Sequence, residues 1–269
     1  MSFRDIVVDA CPKSDIQRTL ELSRQMAIEF GANLTVVSYA WPRTSIVGDV
    51  LAGNALSVQE QTRAMEDALD ATRRAFDSVF AAKPAEVEWC SAIVEPTAAL
   101  LDHLLSADLF ITSASQEKTC VSPDAAELAL RSGTPVLRLG RNLTTCRFPS
   151  VVVAWKDCSQ ARRALHDALP ILKRADRVTI VGIGDEVSID RLEAVDEHLR
   201  RHEVTTTGHL HVPRSEGDIC GDLLTQAQRE GASLIVAGVY SRGPFATRVL
   251  GGMTREMLKN TETSWFMAH

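Results

Sequence analysis

The chain carries one local design twice, and that duplication restricts its possible folds more than any other feature. Residues 3–9, FRDIVVD, form a short β-rich run, after which Ser14 opens a pattern with apolar Ile16, Leu20, Ala27 and Phe30 near helical period. Much later, PSVVVAW at 149–155 is again a buried-strand run. Ser159 then opens a second helical pattern with Ala161, Leu165, Leu169 and Leu172. Aligning Ser14 on Ser159 also places Leu20 on Leu165, the self-similarity expected of a duplicated unit.

Each copy continues with the same alternation. In the first, NLTVVSYA (33–40) reads as strand two. Ser57 with Glu60 forms a capping box before a long helix with Met65, Leu69, Phe76 and Phe80 on one face. EVEWCSAI, PTAALLDHLL, DLFITSA and PVLRLG supply strand, helix, strand and strand, with Ser122-Pro123 as a helix start. The second copy reads RVTIVGI, SIDRLEAVDEHLRRH, VTTTGHLHV, ICGDLLTQAQ, SLIVAGV, TREMLKN and SWFMAH. Strands alternating with helices at this spacing predict βαβ units, hence an α/β fold with parallel sheets covered on both faces. The junction GRNLTTCRFPS (140–150) is polar and holds a proline, so the boundary falls between a domain of residues 1–146 and one of residues 147–269. The Leu, Met and Phe stripes are core, and the charged helix faces are solvated surface.

Composition narrows the function classes. A net charge of −6 argues against a nucleic-acid surface and an anionic membrane as partners. The start, MSFRDIVVDA, is charged and too short in its apolar run for a signal peptide, and no stretch approaches a membrane span. Six cysteines, at 11, 90, 120, 146, 158 and 220, contain no CxxC pair. A chain this long needs no disulfide staples, so reduced cysteines and a cytoplasmic location are expected.

In an open parallel sheet, ligands bind beyond the carboxyl ends of the strands, where strand order reverses. In the second copy this directs attention to AWKDCSQ after strand one and to the stretch from Gly238 after strand four. A duplicated five-stranded α/β unit with VVVAWKDCSQARRAL in the first place and G-x-x-S-x9-G-G-x-T in the second resembles the universal stress protein family, over essentially the whole chain as a tandem pair. The resemblance implies units of strand order 3-2-1-4-5, paired through their fifth strands, VLRLG and SWFMAH. It also implies a phosphate-wrapping loop of the form G-x2-G-x9-G-[S/T] and an Asp after strand one that contacts adenosine.

Carried over by that resemblance, Asp157 takes the place of the aspartate and Gly238 of the first loop glycine. Ser241 replaces the second glycine, Gly251 matches the third, and Gly252 stands where a serine or threonine is usual. Ile183, at the end of strand two, is placed to touch the base, while Trp155 reads equally as core packing or as a lid on it. Glycine permits positive φ and close approach, and successive amides at a helix N-terminus favour an anion. A serine in place of one such glycine costs about 1–2 kcal/mol where φ must be positive, or about tenfold in affinity. Thr254 and the Ser241 hydroxyl are expected to compensate in part, with Arg242, Arg248 or Arg255 adding charge. The ligand implied is therefore weakly held ATP or AMP, in the C-terminal half only, with no metal expected beyond Mg. The bland alternatives are a tight turn at the glycines and a dipole-stabilised helix-start carboxylate at Asp157.

The first copy lacks these means. No glycine occurs from Ile111 to Arg131, and Pro12 occupies the position matching Asp157, so this half is expected to be empty and structural. His198 and His202 lie i,i+4 on a helix, and His209 and His211 share a face of the following strand, a spacing able to ligate zinc but without a completing carboxylate or cysteine pattern. No G-x-S-x-G, G-x4-G-K-[ST] or HExxH motif occurs and no general base is evident, so no catalytic residue is assigned. Three readings follow: a stress-response protein binding an adenine nucleotide and signalling to a protein partner, with a homodimer plausible; a nucleotide-free interaction module with a vestigial pocket; and, last, a slow ATP hydrolase.

Overall fold

The computed structural model describes residues 2–12, 15–42, 55–81, 86–114, 123–214, 219–239 and 252–269, with the backbone alone for 55–57. The chain divides into two compact units, Phe3–Asp124 and Ala125–His269.

In the first unit the elements are β1 (Asp5–Asp9), α1 (Ile16–Phe30), β2 (Asn33–Ala40), α2 (Ala55–Phe80), β3 (Val87–Ile93), α3 (Pro96–Leu104) and β4 (Leu109–Ser113). The strands run parallel in the order β3-β2-β1-β4. α1 ends on Gly31, whose φ of 61° gives the left-handed stop that a side chain would oppose. α3 is started by Glu95, whose carboxylate accepts from the Thr97 and Ala98 amides at 3.0 and 2.8 Å, with Pro96 in the first turn. Two expected starts move. α2 extends back through Ala55, which puts Ser57 inside the helix rather than at its cap, as the strong helix formers Ala55 and Leu56 favour. The helix after β4 begins at Ala125, two residues beyond Pro123.

The second unit holds α4 (Ala125–Ser132), β5 (Val136–Leu139), β6 (Ser150–Trp155), α5 (Ser159–Leu172), β7 (Arg177–Ile183), α6 (Ile189–Arg201), β8 (Thr206–Val212), α7 (Ile219–Arg229), β9 (Leu234–Gly238), α8 (Gly252–Lys259) and β10 (Ser264–Ala268). Its order is β5-β10-β9-β6-β7-β8, parallel except for the antiparallel β5–β10 pair. Leaving out β5, this is the expected 3-2-1-4-5 order of the second copy. The inner strands β9 and β10 are buried along almost their whole length, the mark of a sheet covered on both faces. The edge strand β8 is half exposed, and its pairing with β7 slips at Val178/Thr179, an irregularity of the kind that blunts a free edge.

β5 and α4 end the first sequence repeat, yet they pack with the second. Leu137 faces Phe266 and Arg138 faces Trp265 across the β5–β10 ladder, and all four are buried. The Arg138 guanidinium donates to the carbonyls of Leu258 and Asn260 at 2.8 and 2.7 Å, at the negative C-terminal end of α8. Gly140 then runs so close to the backbone of Glu262 and Thr263 that a Cβ would lie 2.3 Å from the Glu262 oxygen.

Cys11, buried just beyond β1, is disulfide-bonded, which corrects the expectation of reduced cysteines; no short spacing motif announces it. Cys90, Cys146, Cys158 and Cys220 are free. Among the described residues no helix is long and apolar enough to cross a membrane.

The Arg138 latch gives a direct test. Arg138→Met keeps the apolar stem but leaves two buried-side carbonyls without their charged donor, at a cost of about 3 kcal/mol. A urea titration of the full chain should show a lower unfolding midpoint for Arg138→Met, with Arg138→Lys intermediate.

Candidate functional site

The loops at the carboxyl ends of β6 and β7 are clasped by two ion pairs. Lys156 meets Glu186 at 2.5 Å, and Asp157 meets Arg191, in the first turn of α6, at 3.1 Å. All four side chains are largely exposed, so solvent screening leaves each pair little stability to contribute. The hydrogen bond from Lys156, and then its charge, hold the Glu186 carboxyl below the ordinary Glu range. The second Asp157 oxygen accepts from the Trp155 indole N–H at 2.9 Å. Asp157 thus joins the last residue of β6 to the start of α6, where Ser188 caps the helix by accepting from the Arg191 amide at 3.2 Å. Trp155 and Ile183 are half-buried at the ends of adjacent paired strands; Trp155 stands level with Gly182, so its side chain and that of Ile183 leave opposite faces of the sheet. Gly184 turns the chain out of β7 with a φ of 79°.

The glycines separate by cause. Gly238, ending β9, abuts the first turn of α5: a Cβ there would lie 2.5 Å from the Gln160 carbonyl carbon and 2.6 Å from the Ala161 nitrogen. Its smallness is required by strand–helix packing, and its φ is not positive. Gly252 opens α8, exposed, with no atom of the described residues within 4 Å of the missing Cβ. Thr254, within the first turn, is buried. Arg255 beside it is exposed. Ser241 and Gly251, with Arg242 and Arg248, lie outside the described residues. The structure therefore brings Trp155, Asp157 and Ile183 to one strand-end corner, adds Lys156, Glu186 and Arg191, and sets Gly238 against the helix that leaves that corner.

Strand register defines the matching corner of the first repeat. Val8 pairs with Ile111 and Val36 as Val153 pairs with Val236 and Ile180. Asp9 then corresponds to Ala154, Tyr39 to Ile183, Thr112 to Ala237 and Ser113 to Gly238. Where the second repeat is apolar, the first is filled by a polar knot. The buried Asp9 carboxylate accepts from the Tyr39 and Thr112 hydroxyls, each at 2.7 Å, and from the Cys11 amide at 3.0 Å. Three donors answer a buried charge that would otherwise be expensive.

The histidine pattern regroups. His211 Nε2 lies 3.0 Å from the Gly184 carbonyl, and His209 Nδ1 lies 3.9 Å from Asp196, so neither strand histidine joins the helix pair. His166 of α5 does instead, with ring centroids 5.1 Å from His198 and 6.1 Å from His202. Burial, then mutual repulsion, lowers the His166 and His198 pKa values below the usual imidazole range. Sequence spacing had no means of reporting a partner one helix away.

No protein-family model matches the sequence, and no curated protein matches it. Solved structures do share its fold. A universal stress protein from Archaeoglobus fulgidus superposes with a TM-score of 0.71 at 14% identity, covering 97% of this chain and 95% of that one. A functionally unknown protein from Pseudomonas aeruginosa gives 0.65 at 12% identity, covering 99% and 92%. A candidate universal stress protein from the same species gives 0.63 at 14%, covering 99% and 93%. The chain shares the fold of these structures along almost its whole length.

The two glycines should respond oppositely to substitution. Gly238→Ala drives a Cβ into backbone that cannot swing aside and should destabilise the chain by about 1–3 kcal/mol. Gly252→Ser has open space and should leave the thermal midpoint within a degree or so of wild type. Differential scanning calorimetry of both variants decides the matter; equal effects would remove the packing explanation.

Proposed function

We propose that the chain is a tandem universal stress protein whose C-terminal half, residues 147–269, holds an adenine nucleotide and reports its occupancy to a protein partner. The observation that carries this reading is the pinned corner at the ends of β6 and β7. Ile183 offers apolar surface for a base there, with Trp155 at the same strand ends on the opposite face of the sheet. Asp157, exposed and oriented by the Trp155 and Arg191 hydrogen bonds, offers an acceptor for a ribose or a base amine. α8 starts on Gly252, and none of the described residues crowds its missing Cβ, which favours approach of an anionic tail to the first-turn amides. The residue pattern from Gly238 to Thr254 gives the same direction by resemblance. ATP and AMP are the ligands proposed, with Mg accompanying the triphosphate.

The first half, residues 1–146, acts as a structural partner. Its strand-end corner is occupied by Asp9, which accepts from both the Tyr39 and the Thr112 hydroxyls. One nucleotide per chain is therefore the expected stoichiometry.

The packing role of Gly238 favours a second reading, a nucleotide-free interaction module. A glycine demanded by α5 persists whether or not a ligand is bound, so its presence supplies no support for a phosphate loop.

Calorimetric titration with ATP and with AMP separates the two. Saturable binding at one site per chain, tightened about tenfold by Ser241→Gly and weakened by Asp157→Ala, is the outcome expected of a nucleotide site. No heat from either protein at millimolar ligand leaves the interaction module, and two nucleotides per chain overturns the structural role of the first half. Phosphate release above a no-protein control, abolished in Asp157→Ala, would identify a hydrolase.

A further inference from the structure

Three half-buried histidines from two helices of the second unit meet away from the corner just described. His166 projects from α5, and His198 and His202 come from the last turn of α6 and the residue that ends it. Their ring centroids stand 4.6, 5.1 and 6.1 Å apart, the rings tilted or edge-on to one another. The Nε2 of His198 is a buried atom without a partner. Neutral imidazoles pack favourably in this way, edge against face. As imidazolium ions the same rings would hold like charges within 6.1 Å of one another, in a place that only partly admits water.

The surroundings offer little to neutralise such charge. Arg162 of α5 and Arg201 of α6 add to the repulsion, and Asp167 opposes it. The carboxylates on α5, along 195–201 of α6 and at Glu203 each already have a cation of their own. Asp167 meets Arg163 at 3.0 Å, Asp196 meets Arg200 at 2.9 Å, Glu197 meets Arg201 at 3.5 Å and Glu203 meets Lys173 at 3.5 Å. The strands that α5 packs on, β6, β9 and β10, carry no titratable side chain. Of β7 and β8, which pack against α6, Arg177 donates to Ser150 and the Glu230 carbonyl, His211 is answered by the Gly184 carbonyl, and His209 lies 3.9 Å from Asp196.

We propose that His166, His198 and His202 form an acid-sensitive contact that holds α5 against α6 while the rings are neutral and releases it when they take up protons. Their titration runs in the direction this requires. Burial first, then the charge of His202, lowers the His166 and His198 pKa values below those of a free imidazole, with Arg162 adding to the effect at His166, and His166 and Arg201 at His198. A group that holds its proton less tightly in the folded chain than in the unfolded one lends full stability above its unfolded pKa and loses it as pH falls below that value. The contact is therefore complete at neutral pH and weakens on mild acidification, from about pH 6.5 downward. It is separate from the proposed nucleotide corner, since His198 lies seven residues along α6 from Arg191, about 10 Å down the helix axis.

The test uses the full chain without nucleotide, so its outcome is independent of the nucleotide reading. In ring-nitrogen NMR of the wild-type chain, His166 and His198 should titrate at lower pH than the same residues in the urea-unfolded chain, a readout that needs no variant to fold. Lowering the pH from about 7.5 to about 5.5 should speed amide exchange, corrected for its intrinsic pH dependence, in α5 and α6 but not in α1 of the first unit. The same change should lower the thermal midpoint, and His166→Gln combined with His198→Gln should shrink that fall by about 2–4 °C. Arg162→Gln, at an exposed side chain, should raise the pH at which His166 titrates. Titration of His166 and His198 at or above their unfolded values, an equal fall in midpoint for wild type and double variant, or acid-accelerated exchange that spares α5 and α6 would each overturn the contact.

Discussion

The antiparallel pairing of β5 with β10 is the contact on which the rest of the second unit depends. In a 3-2-1-4-5 sheet the fifth strand is an edge, and an edge built from Trp265, Phe266 and Met267 cannot be left in water. Each of these side chains is fully buried, worth about 1.5–3 kcal/mol apiece relative to exposure. An unpaired ladder of that composition is also a template for aggregation. β5 removes the hazard from within the same chain. Arg138 and Gly140 adapt to this one neighbour, the first by seating a guanidinium on the end of α8 and the second by omitting a side chain where Glu262 passes. The compact unit therefore begins at Ala125 and cuts across the sequence repeat: the last strand of the first copy is held by the second.

Duplication frees one copy to change, and the strand-end corners show where change has concentrated. At matched register positions the first copy has Asp9, Tyr39 and Thr112, the second Ala154, Ile183 and Ala237. The first set closes on itself through short hydrogen bonds. The second is apolar and is bordered by exposed charges that reach across two loops. A corner whose polar groups are satisfied internally has little to offer a ligand, because any incoming group must replace bonds already made. The apolar wall has no such competitor, and Asp157, although bonded to Trp155 and Arg191, is exposed enough to accept a further donor.

The βαβ alternation and the repeat were legible because each rests on periodic apolar residues, which burial enforces along the whole chain, whereas the fifth-strand pairing was implied by the family resemblance. Helix starts were less so. Ser57 has the residues of a capping box, but the good helix formers preceding it carry α2 past that point. The Asp9–Tyr39–Thr112 knot escaped notice because its members lie on three strands, and only the register unites them. His166 was missed for the same reason: the i,i+4 spacing of His198 and His202 is written locally, but their third neighbour is set by the packing of one helix beside another. The disulfide at Cys11 likewise has no local spacing to announce it.

Gly238 illustrates how a motif glycine can be read in two ways. Near a phosphate loop, glycine suggests positive φ or close approach of a ligand. Here φ is ordinary and the close approach is to Gln160 and Ala161, so the packing of β9 on α5 accounts for the residue completely. Ser241 already stands where a wrapped phosphate favours glycine, and Thr254 is turned into the interior. What remains for an anion is the N-terminus of α8 and Gly251, a thinner set of donors than the family pattern implies. The nucleotide reading accordingly leans on the base-side corner of Trp155, Asp157 and Ile183. A site recognising the base and ribose more strongly than the phosphates discriminates poorly by phosphate number, since each added phosphate meets few fixed donors. In such a protein the signal would lie in whether an adenylate is present, more than in how highly it is phosphorylated.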